Sequence, residues 1–414
     1  MQTNNLKGLS LVAAAALIAS SANAAEQIKE SYHPVVNGSP VTLMKDNLIT
    51  QKLGGRMLNL DIWAGEFITF DNNIFNSRTN EEDDTILSTA AGLLLQAGER
   101  GLWDVRIESQ IQRNNYSDHS TYNGTEGFFR VRGERDFSPA LKGRVSAGYD
   151  KSYDTIRNVD GIFDLERYNA GAGVTVAPSP FFTIDADYRW FGQRRDHYRT
   201  DTEYDEHAFT IRPSYAITPN TKVYVQGAFI STNVLENHYN DANTWSLVGG
   251  AAWHYEDSAQ VFGEVGVMTM DFDSNGTVTD HRGDSVTRPT ARAGGWLALN
   301  EDVKVGAEAS YTVGIGAVTT SSEQSSYVEI TRVAVNAEYS PGAGRFTVKL
   351  TPFWTHNSPS QNTSFREYGA TLGVTYSLID WFNMSAGYRY LNTKYSDESS
   401  YDRHAFMLGL AATF

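Results

Sequence analysis

Apolar and polar residues alternate along most of the chain between Arg56 and Phe414. In residues 182–190 the even positions are apolar and the odd positions are polar, and residues 346–354 repeat the arrangement with Phe353 as the exception. Residues 406–414 place large apolar side chains and Ala412 on one face. A period of two residues predicts β-strands whose two faces meet different surroundings.

Short turn signals interrupt this alternation at intervals of 38 to 44 residues, and longer polar segments lie between them. The signals begin at residues 99, 138, 178, 218, 256, 300, 340 and 378. Eight short turns join nine hairpins, so the sequence predicts an all-β fold of about 18 strands, with 16 as the next count. Short turns at one end and long loops at the other are typical of a transmembrane antiparallel up-and-down β-barrel, with its turns in the periplasm.

The first residues predict export. Lys7 precedes an apolar run too short to cross a bilayer, and Ala22-Asn23-Ala24 follows as a cleavage pattern. We therefore expect a signal peptide over residues 1–24, a periplasmic arm or plug over residues 25–55 and the barrel over residues 56–414. Beyond the leader no stretch reaches the roughly 20 apolar residues of a membrane helix, so a membrane form requires a closed barrel. The aromatic Phe414 on the last strand is the expected signal for the outer-membrane assembly machinery.

Composition narrows the possible functions. The chain has 34 Lys and Arg against 49 Asp and Glu, a net charge of −15, which argues against nucleic acid as a partner. It has no Cys, so disulfide scaffolds and thiolate zinc sites are excluded. No metal, cofactor or nucleophile motif is present, and we expect no enzyme. The weak acid–base candidates are Asp196-His197, Asp280-His281 and Glu206-His207, all predicted in outer loops.

The inward positions of a barrel are the ones that a transported solute meets. Alternation predicts a charged, slightly basic inner wall, formed by Arg106, Arg130, Arg132, Lys142, Arg144, Asp185, Asp187, Arg189, Lys222, Glu264, Arg292, Lys304, Glu308, Arg332, Lys349 and Arg389. Any single charge can simply pair across strands and fix their register. The set as a whole indicates a wet lumen that favours anionic solutes or an acidic polymer.

Outward aromatic residues are predicted near both ends of the strands. At the turn end these are Trp103, Phe137, Phe182, Tyr215, Tyr339, Tyr376 and Phe382, and at the loop end they are Tyr149, Trp190, Phe229, Trp354 and Tyr390. Two such girdles mark the interfaces of a membrane. Lipid and lipopolysaccharide are the partners that this surface implies.

Three segments carry a family resemblance. Glu66–Phe75 (EFITFDNNIF), residues 129–154 (FRVRGERDFSPALKGRVSAGYDKSYD) and residues 164–190 (DLERYNAGAGVTVAPSPFFTIDADYRW) resemble the β-barrel porins that accompany capsule and exopolysaccharide export systems. The resemblance implies a bacterial outer-membrane exit for a polymer that periplasmic export proteins hand on. The resemblance assigns a functional role to no individual residue of this sequence. A general or sugar-selective uptake porin, and a non-transporting adhesin or structural barrel, are the alternatives.

Overall fold

The computed structural model describes most of the predicted barrel. The described residues are 49–53, 56–75, 81–99, 102–154, 163–195, 203–235, 241–255, 258–273, 284–315, 327–341, 345–360, 364–379, 381–396 and 399–414. The predicted signal peptide and most of the predicted arm lie outside them. No helix in these ranges is both long and apolar enough to span a membrane.

Eighteen antiparallel strands form a closed barrel, and a nineteenth, short strand precedes them. The strands are β1 (Ile49–Leu53), β2 (Arg56–Asp71), β3 (Asp84–Glu99), β4 (Trp103–Tyr116), β5 (Gly124–Ser138), β6 (Leu141–Asp154), β7 (Phe163–Ser179), β8 (Phe182–Arg195), β9 (Tyr204–Thr218), β10 (Thr221–Val234), β11 (Ala242–Tyr255), β12 (Ala259–Phe272), β13 (Ser285–Ala298), β14 (Val303–Ile315), β15 (Tyr327–Tyr339), β16 (Phe346–Pro359), β17 (Phe365–Ile379), β18 (Phe382–Tyr395) and β19 (Ser400–Thr413). Each strand from β2 to β19 pairs with its sequence neighbours, and β19 closes the barrel on β2 through Ala405↔Asp71 to Thr413↔Trp63. The predicted fold class and count of 18 barrel strands are confirmed.

Connections differ in length at the two ends of the barrel. Those that follow β3 and every second strand thereafter have two to six residues and fall at the eight predicted turns. Those at the other end have four to twelve residues, and one contains a 3-10 turn at Ser120–Tyr122. We call these the turn end and the loop end. Strand β2 begins and strand β19 ends at the turn end, as an even number of strands requires.

The short strand β1 extends the closing seam. It pairs with the first residues of β2, from Ile49↔Leu60 to Leu53↔Arg56. Strand β19 pairs with the same edge of β2 further up, and the backbone N–H of Phe414 donates to the carbonyl oxygen of Ile62 at 2.6 Å. Strand β1 therefore continues the row of pairing where β19 ends, so part of the predicted arm belongs to the sheet.

The two faces of the barrel differ as the alternation predicts. One face exposes large apolar side chains, such as Ile111 and Val265, which are 60% and 68% exposed. On the other face, Arg144 of β6 reaches across β7 to Asp187 of β8 at 2.7 and 2.8 Å. Side chains that meet across an intervening strand lie on the concave side, so this polar face lines the lumen.

The inner face at the closing seam is packed with apolar side chains. Trp63, Phe67, Ala90 and Met407 form a buried cluster on β2, β3 and β19. The indole of Trp63 lies flat over Gly92, where a Cβ atom would overlap the ring. Only glycine leaves this space at the register position opposite Trp63.

We expect Gly92→Val to destabilise the barrel by about 1–3 kcal/mol, because overpacking displaces the Trp63 ring. The measurement is the temperature at which the folded barrel loses its compact mobility in a denaturing gel. The matched control is Gly373→Val, because Gly373 also faces inward and has open space where its Cβ would lie. Equal effects of the two substitutions would contradict the predicted role of Gly92.

Candidate functional site: the inner wall

The pairing register places all sixteen predicted site residues on the inner face. Residues that are directly opposite each other on neighbouring strands lie on the same face of the sheet. Arg106 is opposite Arg132, and Arg144 and Asp187 are both opposite Gly173, so each pair lies on one face. That these residues line a conducting pore stays a prediction. The sequence prediction missed further inner-face charges that the same alternation could have found: Asp71, Asp84, Glu126, Asp136, Asp150, Arg167, Glu206, Arg212 and Arg288.

Many inner-face charges are paired with one another. The contacts include Arg144–Asp187 at 2.7 Å, Arg189–Glu206 at 3.2 Å, Arg292–Glu308 at 2.8 Å, Lys142–Glu134 at 2.5 Å and Lys349–Glu338 at 3.5 Å. Arg144 also donates to Thr175, and the hydroxyl of Tyr224 donates to Glu264 at 2.8 Å. Contacts of this kind join neighbouring strands and stabilise their register. These members of the predicted set have a structural role beside any contact with solute.

The exposed charges of the inner face all have one sign. The exposed members are Arg106, Arg130, Arg132, Lys222, Lys304 and Lys349, whereas every inner-face acid in the described ranges is buried or partly exposed. Of these bases, Arg106, Arg130 and Lys349 contact Glu108, Asp150 and Glu338. In that part of the chain Arg132 and Lys222 have no acidic partner. The six bases lie around mid-height or nearer the turn end. The accessible part of the lumen wall is therefore basic, although the chain as a whole is acidic.

Several side chains of the inner face are buried towards the loop end of the barrel. Val328, Asn357, Thr393 and Tyr401 face the lumen and are at most 1% exposed. Arg389 is also buried, and the neighbouring Arg403 donates to Asp71 at 2.6 to 3.1 Å. Within the described residues, the inner wall is thus exposed towards the turns and packed with side chains towards the loops.

Pairing between β13 and β14 stops halfway up the barrel. The last partners are Ala291↔Tyr311, although β13 extends to Ser285 and β14 to Ile315. Pro289 lies just beyond this point on β13, and proline has no N–H to donate to a ladder. The upper ends of β13 and β14 therefore have free edges towards each other.

Above this point the β14–β15 hairpin bends into the lumen. We call its tip, Thr312–Ile315 and Tyr327–Ile330, the inner hairpin. By register Val313, Ile315 and Tyr327 belong to the outer face, yet they pack against the inward side chains Met268, Met270, Phe272, Val286 and Ala242 of β11–β13. The inward Arg288 of β13 donates to Glu329 at 2.8 Å and to the hydroxyl of Tyr327. The free edge of β14 thus lies inside the wall that it would otherwise complete.

The other face of the inner hairpin meets inward side chains of β16 and β18, and its β15 arm stays paired with β16. Val328 and Ile330 form a buried cluster with Leu391 of β18, and Phe353 of β16 packs against it. Apolar residues on both faces hold the hairpin inside the wall, because their burial removes apolar area from water. The inner hairpin therefore occupies space in this sector of the lumen.

We expect Val313→Asn to release the inner hairpin, because a buried amide without a partner costs about 1–3 kcal/mol and the apolar contacts are lost as well. Single-channel conductance in a planar bilayer should rise, with longer openings. The matched control is Ser146→Asn, which adds the same group at an exposed inner position. An unchanged conductance of the Val313 variant would rule out the hairpin as a constriction.

A second closure lies at the loop end beside β2–β5. Ile74 and Phe75, in the β2–β3 connection, are buried against the inward Ile86, and Tyr116 and Tyr122 pack against them. The ring of Phe75 meets that of Tyr122 edge-on at 5.3 Å. The β2–β3 and β4–β5 connections therefore form one cap over this sector of the lumen.

His119 joins the two connections of this cap. Its Nδ1 lies 2.8 Å from Asp84 Oδ2, and its Nε2 contacts Glu82 Oε2. Asp84 also accepts the backbone N–H groups of Ser117, Asp118 and His119. A ring that meets carboxylates at both nitrogens must donate at both, so this geometry requires the protonated imidazolium. Burial acts to lower the pKa of His119, but the hydrogen bonds to Asp84 and Glu82 outweigh it and raise the pKa above its ordinary value.

We expect the cap to loosen as the pH rises. The pKa of His119 is raised in the folded state, so its contribution is fully present below the ordinary value of about 6.5 and is lost as the pH passes the raised value. Hydrogen exchange of residues 72–75, corrected for intrinsic rates, should accelerate on this rise. In His119→Gln the corrected rate should be high and independent of pH, and retention of the pH step there would assign it to another group.

The outer face carries the predicted aromatic residues, and one predicted pair is corrected. Eleven of the twelve girdle residues fall on the outer face by register, and Phe137, at the register shift between β5 and β6, is 60% exposed. The Glu206-His207 prediction is wrong, because both residues lie in β9 rather than in a loop and point to opposite faces. Glu206 meets Arg189 inside, whereas His207 meets the hydroxyl of Tyr188 outside. Asp196-His197 and Asp280-His281 lie outside the described residues, and no metal-binding group of His or acidic side chains occurs within them.

Comparison with known proteins finds likeness in structure only. No family model and no curated protein matches the sequence. OccAB3 of Acinetobacter baumannii is 11% identical with a TM-score of 0.48, covering 86% of this chain and 99% of that one. OccK2 of Pseudomonas aeruginosa, solved in complex with glucuronate, is 10% identical with a TM-score of 0.48, covering 86% and 98%. The FrpB iron transporter of Neisseria meningitidis is 10% identical with a TM-score of 0.46, covering 82% of this chain, which spans 63% of FrpB.

Proposed function

We propose that the protein is a channel of the bacterial outer membrane that admits small hydrophilic solutes and prefers anions. The observation that carries the proposal is the single sign of the exposed inner-face charges. A wide barrel whose accessible wall is basic raises the local concentration of anions and lowers that of cations.

The outer face supports a location within a membrane. Between the two aromatic girdles it exposes a belt of aliphatic side chains, such as Leu247, Val265, Val335, Leu372 and Leu408. Such a surface would be costly in water and matches the apolar band of a transmembrane barrel. The closed ladder leaves no unpaired sheet edge towards lipid over most of its height, which is what the hydrocarbon region requires.

Uptake of small solutes agrees with the lumen better than export of a polymer. The inner hairpin and the cap occupy the loop end, where an emerging polymer would need a continuous wide path. Small solutes need only a gap beside these elements. Polymer export, with periplasmic export proteins as partners, stays a prediction drawn from the sequence resemblance, and so does recognition of Phe414 by the assembly machinery.

The proposal is tested by reversing the charge of three exposed inner bases. The triple variant Arg132→Glu, Lys222→Glu and Lys304→Glu should move the reversal potential in a potassium chloride gradient from the anion-selective towards the cation-selective side. The reason is that the accessible wall would then carry mixed or negative charge.

The matched control is Arg135→Glu, on the outer face of the same strand as Arg132. It should leave the reversal potential unchanged. Equal potentials for the wild type and the triple variant would contradict the anion preference. Absence of any conductance in the folded wild type would favour the adhesin or structural barrel.

A further inference from the structure

Two basic side chains lie side by side on the outer face at the loop end. Arg366 of β17 and Lys394 of β18 are direct cross-strand partners, and both are exposed. His356 of β16 is the partner of Arg366 on its other side. We call these three residues the outer basic patch. In the described part of the chain neither Arg366 nor Lys394 has a hydrogen-bond or ion-pair partner, and Nδ1 of His356 is buried without one.

Two other bases of the outer face near the same end, Lys151 and Arg194, are neutralised within the protein. Lys151 lies 2.9 Å from Asp164, and Arg194 lies 2.9 and 3.1 Å from the two oxygens of Asp205. Like charges directly opposite each other destabilise a pair of strands. The outer basic patch thus presents two adjacent positive charges that no acid in the described ranges neutralises.

The nearest acid does not supply that counter-charge. Asp402 of β19 also lies on the outer face, one row closer to the middle of the barrel than the patch. Its Oδ1 accepts from the side chains of Asn392 at 2.5 Å and Tyr390 at 3.2 Å. Within the described residues, therefore, no acid supplies the counter-charge of the patch.

The position of the patch indicates the kind of anion. Directly below it on the same strands are Trp354, Tyr368 and Tyr390 of the loop-end girdle, and the ring of Trp354 stacks on that of His356. Below these aromatic residues the apolar belt continues with Leu350 and Leu372. A lipid whose acyl chains cover this belt places its headgroup at the height of Arg366 and Lys394.

We propose that the outer basic patch binds the phosphate groups of the glycolipid of the outer leaflet, lipopolysaccharide. The guanidinium of Arg366 can donate two parallel hydrogen bonds to a phosphate, and Lys394 adds a point charge beside it. Phosphate then separates the two like charges of the cross-strand pair. The inference rests on the proposed membrane location and is independent of conduction through the lumen.

The experiment measures binding of purified, detergent-solubilised protein to vesicles of neutral phospholipid that contain either diphosphorylated or dephosphorylated lipid A. The wild type should bind the diphosphorylated form, and Arg366→Gln with Lys394→Gln should weaken this binding about tenfold. The matched control is Arg135→Gln, an exposed outer-face arginine at the turn end, which should bind as the wild type does. Compact mobility in a denaturing gel before heating verifies that each variant is folded.

Three results would overturn the proposal. The first is equal binding of the two lipid A forms by the wild type. The second is unchanged binding by the double variant, and the third is binding of inorganic phosphate alone that accounts for the whole difference. Failure of the proposed function would look different, because a wild type that does not insert into either vesicle would contradict the membrane location itself. Conductance in phospholipid bilayers should be the same in the double variant and the wild type.

Discussion

Pairing of the last strand with the first is the constraint on which the rest of this structure depends. In a surface that faces hydrocarbon an unpaired N–H or C=O is costly, so a sheet must close on itself. Strands β19 and β2 provide that closure, and β1 continues the row of pairing below Phe414. Closure gives each residue one of two surroundings, which is why apolar side chains occupy one face and charges the other.

A long interruption of this pairing lies between the upper ends of β13 and β14. Above Ala291 and Tyr311 the backbone N–H and C=O groups on the β13 side of β14 lack strand partners, and exposing them to lipid would cost free energy. This edge of β14 instead lies inside the wall. This position explains the apolar residues Met268, Met270 and Val286 on a face that is otherwise polar. They are the inner half of a packed interface with the inner hairpin. The same displacement that protects the edge brings the hairpin into the lumen.

Acidic and basic side chains form ion pairs across neighbouring strands on both faces of the wall. Most acids and bases pair across neighbouring strands, as Arg144 does inside and Arg194 does outside. Among the described residues, the bases without an acidic partner include the inner Arg132, Lys222 and Lys304 and the outer basic patch near the loops. Each of these faces a medium in which a mobile anion or a lipid phosphate can supply the missing charge. An acidic protein can thus present basic surfaces, because many of its acids are held in pairs, in buried positions or in the loop segments.

The sequence by itself determined the count of barrel strands, the turns and the face of most strand residues. These properties follow from a period of two residues and from turn chemistry, which are local. Only the tertiary structure decided which residues are accessible and which distant segments meet. Val313 and Tyr327 have the alternation of outer-face residues, yet they lie inside because the hairpin that carries them bends away from β13. His119 meets Glu82 and Asp84, which are 37 and 35 residues away, through loop contacts that no periodic pattern encodes. Alternation assigns a side chain to a face, but exposure and partners depend on how the closed sheet curves and where it departs from regular pairing.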